Sequence, residues 1–181
     1  MSTNEKELII LNRDTVALLI PSGRSIVVPK GTEVTITQSL GGTFTVDIYG
    51  SLARIDAKDA DALGKQVNNF LDELPNDISI KDKIWGQLRT VFDPEIPVNI
   101  VDLGLVYTCD IEKVKDKTHR VFIEMTLTAP GCGMGTVLIE DVKTKILAIQ
   151  EISDIHVEIV FDPPWDRSMM SDTAKLQLGL F

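Results

Sequence analysis

The sequence predicts an α+β protein with a small all-β N-terminal domain, a sandwich or barrel, followed by a compact α/β domain on a mixed sheet of three or more strands. Three observations predict it. Short β-branched runs fill Leu8 to Ile55 with no helical period outlasting a turn, Leu74-Pro75-Asn76-Asp77 breaks the pattern, and helical and strand periods alternate beyond the break. The expected domains are therefore 1–75 and 76–181.

In the front half the runs Thr15-Val16-Ala17-Leu18-Leu19-Ile20, Ser25-Ile26-Val27-Val28, Glu33 to Gln38, Phe44 to Tyr49 and Leu52 to Ile55 are separated by Pro21-Ser22-Gly23, Pro29-Lys30-Gly31, Gly41-Gly42 and Gly50-Ser51. Each divider suits a tight turn. Val34 and Ile36 alternate with polar neighbours, as do Phe44, Val46 and Ile48, so each strand has one face to bury. From Asp56 to Gly64 an N-capping Asp and early acids predict a short connecting helix.

Beyond Pro75, Ile84, Leu88 and Val91 share one face of a helix predicted over about Ile80 to Val91. Strands follow over Leu103 to Val114 and Arg120 to Thr128, with a hairpin turn at Asp116 and Lys117. Leu138, Val142, Ile146 and Ile149 recur along one side of a helix from Gly135 to Ile149. A last strand runs from Ile155 to Phe161 on the alternation of Ile155, Val157, Ile159 and Phe161.

Composition narrows the function. The 181 residues are 44% hydrophobic and 25% charged, which is ordinary for a globular protein. With 18 Lys and Arg against 27 Asp and Glu, the net charge of -9 repels phosphate backbones and anionic lipid, so neither nucleic acid nor membrane is an expected partner. No apolar run approaches the roughly 20 residues that cross a bilayer, and the polar start lacks a signal-peptide core. A cytoplasmic location is expected, where Cys109 and Cys132 stay reduced.

The stretch Ala129-Pro130-Gly131-Cys132-Gly133-Met134-Gly135-Thr136 leaves a strand and enters a helix through three glycines and a proline. Glycines let a ligand approach the main chain, and the N–H groups of a helix start favour anions. Such a setting lowers a thiol pKa, and the thiolate is the form that attacks electrophiles or binds soft metals. The alternative reading is that Cys132 is a small buried residue in a strand-to-helix turn. A second stretch, Asp93 to Val106, displays Asp93, Glu95 and Asp102 around Pro94 and Pro97. These acids either cap and close turns or form a functional group between a helix end and a strand start.

Elsewhere, His119 and His156 are expected to be solvated or satisfied, and Cys109 to pack in its strand. Asp162-Pro163-Pro164-Trp165-Asp166 is a stiff turn whose Trp165 either covers the thiol loop or plugs the core. No Arg follows Cys132 to clamp a phosphate, no Cys-x-x-Cys offers a resolving thiol, and no Cys/His cluster builds a zinc site within one chain. One thiol per loop points instead to ligation shared between subunits, with a soft thiolate suited to an iron-sulfur cluster, Cu(I) or zinc.

Two long motifs, Asp93-Pro94-Glu95-Ile96-Pro97-Val98-Asn99-Ile100-Val101-Asp102-Leu103-Gly104-Leu105-Val106 and Met125-Thr126-Leu127-Thr128-Ala129-Pro130-Gly131-Cys132, resemble the iron-sulfur assembly-associated domain of SufT and PaaD proteins. Val160 to Asp166 and the tail from Met169 to Gly179 resemble it too, and the β-rich front half is similar to that of longer SufT proteins. The resemblance implies an auxiliary factor in iron-sulfur protein maturation, a cluster carrier or adaptor rather than an enzyme. Cys132 carries over as the cluster or metal ligand, with Asp93, Glu95 and Asp102 as the acidic residues beside it. A labile iron-sulfur cluster shared across a homodimer is the implied cofactor, and Suf-type scaffolds and client apoproteins the implied partners. Two alternatives stay open: an adaptor that docks scaffold and clients without metal, and a thiol enzyme using Cys132 as nucleophile.

Overall fold

The structure is a computed structural model that describes residues 6–131 and 133–180. The chain divides into two compact units, one running through residue 69 together with 94–97, the other comprising 70–93 and the residues from 98 onward.

The first unit is a six-stranded antiparallel sheet of β1 (Glu7–Ile10), β2 (Thr15–Leu19), β3 (Ser25–Val28), β4 (Glu33–Leu40), β5 (Thr43–Ile48) and β6 (Ser51–Ile55), in the order β1-β4-β5-β6-β2-β3. The turn residues do what their types predict. Tyr49 and Gly50, both at positive φ, join β5 to β6 in a two-residue hairpin, and the register pairs Ile48 with Ser51 across it. Val34, Ile36, Phe44, Val46, Ala53 and Ile55 point to one face and form the core.

Of the expected sandwich or barrel, no closed barrel is found among the described residues. Among the described residues no pairing joins β1 to β3, so the sheet stays open. Its apolar face packs instead on a 3₁₀ segment, Ala57–Leu63, that contributes Ala60, Ala62 and Leu63 to the same core. The segment is tighter than the predicted helix, and Asp56 does not cap it. Its carboxylate is taken by the buried Arg54, whose guanidinium lies 3.0 Å away. Gly64 ends the segment at φ 66°.

The second unit is built on a three-stranded mixed sheet, β7 (Val106–Lys115), β8 (Thr118–Met125) and β9 (Ile152–Ile159), with β7 antiparallel and β9 parallel to the central β8. Lys115 pairs with Thr118, which leaves Asp116 and Lys117 as the hairpin turn expected. Helix α1 (Ile80–Leu88) precedes the sheet, α2 (Gly135–Leu147) makes the crossover between β8 and β9, and α3 (Asp172–Gln177) closes the chain. Leu138, Val142 and Ile146 of α2 and Ile84 and Leu88 of α1 are buried with Val121, Ile123 and Met125. Helix α1 stops a turn early, and Val91 is buried from the loop that follows rather than from the helix. Each of the two later strands begins two or three residues before its expected start. No helix among the described residues is long and apolar enough to cross a membrane.

Ser79 explains where α1 begins. Its hydroxyl accepts the Asp82 amide at 3.1 Å and donates to the Asp82 carboxylate at 2.7 Å, so cap and first-turn acid hold each other. Ser79→Ala is expected to lower stability by about 1 kcal/mol, read as a lower urea midpoint with an unchanged slope.

Candidate functional site

Strands β8 and β9 run in the same direction, so their carboxyl ends lie side by side, at Met125 and Ile159, where an open α/β sheet presents its loops. Three loops gather there. The Leu105 carbonyl accepts the Thr126 amide at 2.8 Å, and the Met125 carbonyl accepts the Val160 amide at 2.9 Å. The segment before β7, the exit of β8 and the exit of β9 are thus joined by main-chain bonds.

The loop before β7 is organised by Asn99. Its Oδ1 accepts the amides of Val101 and Asp102 at 3.0 and 2.9 Å, and its Nδ2 donates to the Asp102 carboxylate at 2.7 Å. This is the Asx arrangement that an Asn-x-x-Asp spacing permits. The loop then turns at Gly104, whose φ is 77° and whose missing side chain leaves room for the Met169 carbonyl, 2.3 Å from where a Cβ would stand.

The chain after β9 clamps that loop. Trp165 is half-buried and its indole Nε1 donates to the Leu103 carbonyl at 2.7 Å, Ser171 donates its amide to the Asp102 carbonyl at 2.8 Å, and Tyr107 donates its hydroxyl to the Pro163 carbonyl at 2.7 Å. Trp165 is therefore a hydrogen-bonded brace on the acidic loop. Asn99, Tyr107 and Ser171 were not singled out from the sequence; only the Asn-x-x-Asp spacing carried a signal for one of them.

The third loop leads into α2. Leu127 is buried against Gly135, where an added Cβ would fall 2.7 Å from Leu127 Cδ1, and Met134 is fully buried. Between these anchors Ala129, Pro130, Gly131 and Gly133 are exposed, and Gly131 has φ 76° with open space about it. Met134 occupies the N-cap position, and its own side chain makes no cap bond. Cys132 itself lies outside the described residues.

The acids separate. Asp93 is buried, Asp102 is half-buried in the Asn99 turn, and both belong to the second unit, whereas Glu95 is exposed on the 94–97 segment of the first. That segment serves the first unit's packing, with Thr45 Oγ1 donating to the Pro94 carbonyl at 3.3 Å. Among the described residues no group of three or more His, Cys, Asp or Glu side chains is placed to hold a metal ion.

Cys109 sits on β7 opposite Ile123, half-buried, and burial, followed by the neighbouring Asp110, pushes its thiol from an ordinary 9.0 up to about 11. Such a thiol stays protonated at neutral pH. In a Cys132→Ser background, alkylation of Cys109 by iodoacetamide at neutral pH should run about 100-fold slower than that of a thiol with the ordinary pKa, with a rate still rising above pH 9 by mass spectrometry. At Gly104, alanine is expected to cost about 2 kcal/mol or more, because positive φ and the Met169 carbonyl both oppose a Cβ. The melting temperature should fall by at least about 4 °C.

The chain is similar to known proteins over about half of its length. Residues 81–159 match the family model described as iron-sulfur cluster assembly protein. A Porphyromonas gingivalis Fe-S protein maturation auxiliary factor is 40% identical over 102 residues, which is 56% of this chain and 93% of that protein. The Staphylococcus aureus Fe-S protein maturation auxiliary factor SufT is 46% identical over 90 residues, 50% of this chain and 98% of that protein. A solved domain of unknown function from Bacillus anthracis is 37% identical, covers 56% of this chain and 93% of its own, and superposes with a TM-score of 0.49. On the identity and near-complete coverage of these auxiliary factors, the chain belongs to the iron-sulfur cluster assembly protein family.

Proposed function

We propose that this protein is an auxiliary factor in iron-sulfur protein maturation, acting in the cytoplasm to carry a labile cluster or iron from a Suf-type scaffold to client apoproteins. The observation that carries the reading is the 40 to 46% identity to proteins named Fe-S protein maturation auxiliary factors, over nearly their whole length. Cys132 is the proposed ligand, and Asp93, Glu95 and Asp102 the acidic residues that tune it. The cluster is cargo in this reading. One thiolate per chain suits a cluster shared across a homodimer, since few ligands leave a route for transfer.

The surroundings of Cys132 support the reading. The loop is anchored at Leu127 and Met134, exposes Ala129, Pro130, Gly131 and Gly133, and leads into the N-terminus of α2, a setting that favours a thiolate over a thiol. Burial, followed by Asp110, pushes the Cys109 thiol up to about 11, which disfavours its thiolate at neutral pH. The two-domain division at about residue 75 is part of the same proposal, with the chemistry assigned to the C-terminal domain.

Anaerobic reconstitution with iron and sulfide tests the proposal. Wild type and Cys109→Ser are expected to turn brown, hold stoichiometric iron and sulfide, and sediment at twice the monomer mass. Cys132→Ser should stay colourless and monomeric. Equal iron and sulfide in Cys132→Ser and wild type would remove Cys132 as ligand. A colourless wild type whose capture of scaffold survives Cys132→Ser would assign the metal-free adaptor role instead.

A further inference from the structure

The face of the β7-β8-β9 sheet turned away from the buried residues is uncovered. Register places its side chains in three rows: Glu112, Arg120 and Asp154; Asp110, Phe122 and His156; Thr108, Glu124 and Glu158. Phe122 stands at the centre, 37% exposed, with its ring tilted against His156 at a centroid distance of 6.3 Å. Around it Thr108, Asp110, Glu124, His156 and Glu158 line a shallow hollow of about 200 Å³.

Three features set this face apart from a merely solvated one. Parallel strands are normally covered on both faces, and β8 and β9 are a parallel pair with one face open. Five carboxylates stand against one guanidinium, a local charge of -4 out of the chain's -9, and that guanidinium is already paired with Asp154 at 3.0 Å. Glu124 and Glu158 are direct cross-strand neighbours, an arrangement that costs stability, and among the described residues Glu158 has no cationic partner.

We propose that this face docks a basic, partly apolar surface of another polypeptide, with Lys or Arg between Glu124 and Glu158 and an apolar side chain on Phe122. Charge complementarity selects this occupant. A second copy would set the same carboxylates against each other, and no group of described side chains here is arranged to hold a metal ion. The proposal is independent of the thiol loop.

The probe is a fluorescein-labelled peptide alternating lysine and leucine, with a glutamate and leucine peptide as control, read by anisotropy and by amide shift mapping of the full chain. The lysine peptide should bind and shift residues of the three rows, weakening as salt rises. Glu124→Lys with Glu158→Lys should weaken it at least tenfold, while Glu33→Lys with Asp77→Lys, of identical net charge, should leave it within twofold. Glu158→Gln guards against a folding defect: it should raise the melting temperature by about 1 to 3 °C while weakening the peptide severalfold. Absence of binding, equal loss in both double variants, or a wild-type dimer abolished by Glu124→Lys with Glu158→Lys would each overturn the proposal.

Discussion

Two neighbouring strands that run in the same direction cannot be joined by a tight turn, and this constraint arranges the second unit. The chain must leave β8 at Met125 and return at Ile152, and it spends the interval on α2. The exit loop is thereby delivered to the carboxyl end of the sheet, where the exit of β9 also arrives. The Asn99 turn is brought to the same place because β7 begins beside the end of β8, Val106 pairing with Met125. Strand direction alone therefore determines which loops meet.

Main-chain hydrogen bonding then makes the meeting rigid. The Asp102 and Leu103 carbonyls accept from Ser171 and Trp165, and Gly104 leaves room for the Met169 carbonyl. Buried carbonyls seek donors, so the tail from Pro163 to Ser171 serves as the turn's second layer. Beside this braced turn the loop into α2 exposes Ala129, Pro130, Gly131 and Gly133.

Much of this was legible in the sequence because it depends on periodicity. Leu138, Val142 and Ile146 read correctly as one helical face, and Asp116-Lys117 as a hairpin tip, since both follow from the repeat of side-chain direction. The open sheet was not legible. Its covering segment from Ala57 to Leu63 presents only small or few apolar residues, and a short 3₁₀ turn has no distinctive period. Thr45 misled in a related way: alternation marks it as solvent-facing, yet it is buried by a hydrogen bond to Pro94, a partner 49 residues away. The motif around Cys132 signalled the family, whereas the braces at Asn99, Tyr107 and Ser171 are common residue types whose roles exist only through distant carbonyls.

The segment 94–97 has a further consequence. It completes the first unit although both of its flanks belong to the second, so the two units are interlaced along the chain. A protein emerging from the ribosome presents its six N-terminal strands well before Pro94 is available to Thr45. The front sheet thus reaches its final packing only after α1 has been synthesised, and its maturation during translation is timed by the half of the polypeptide that follows it.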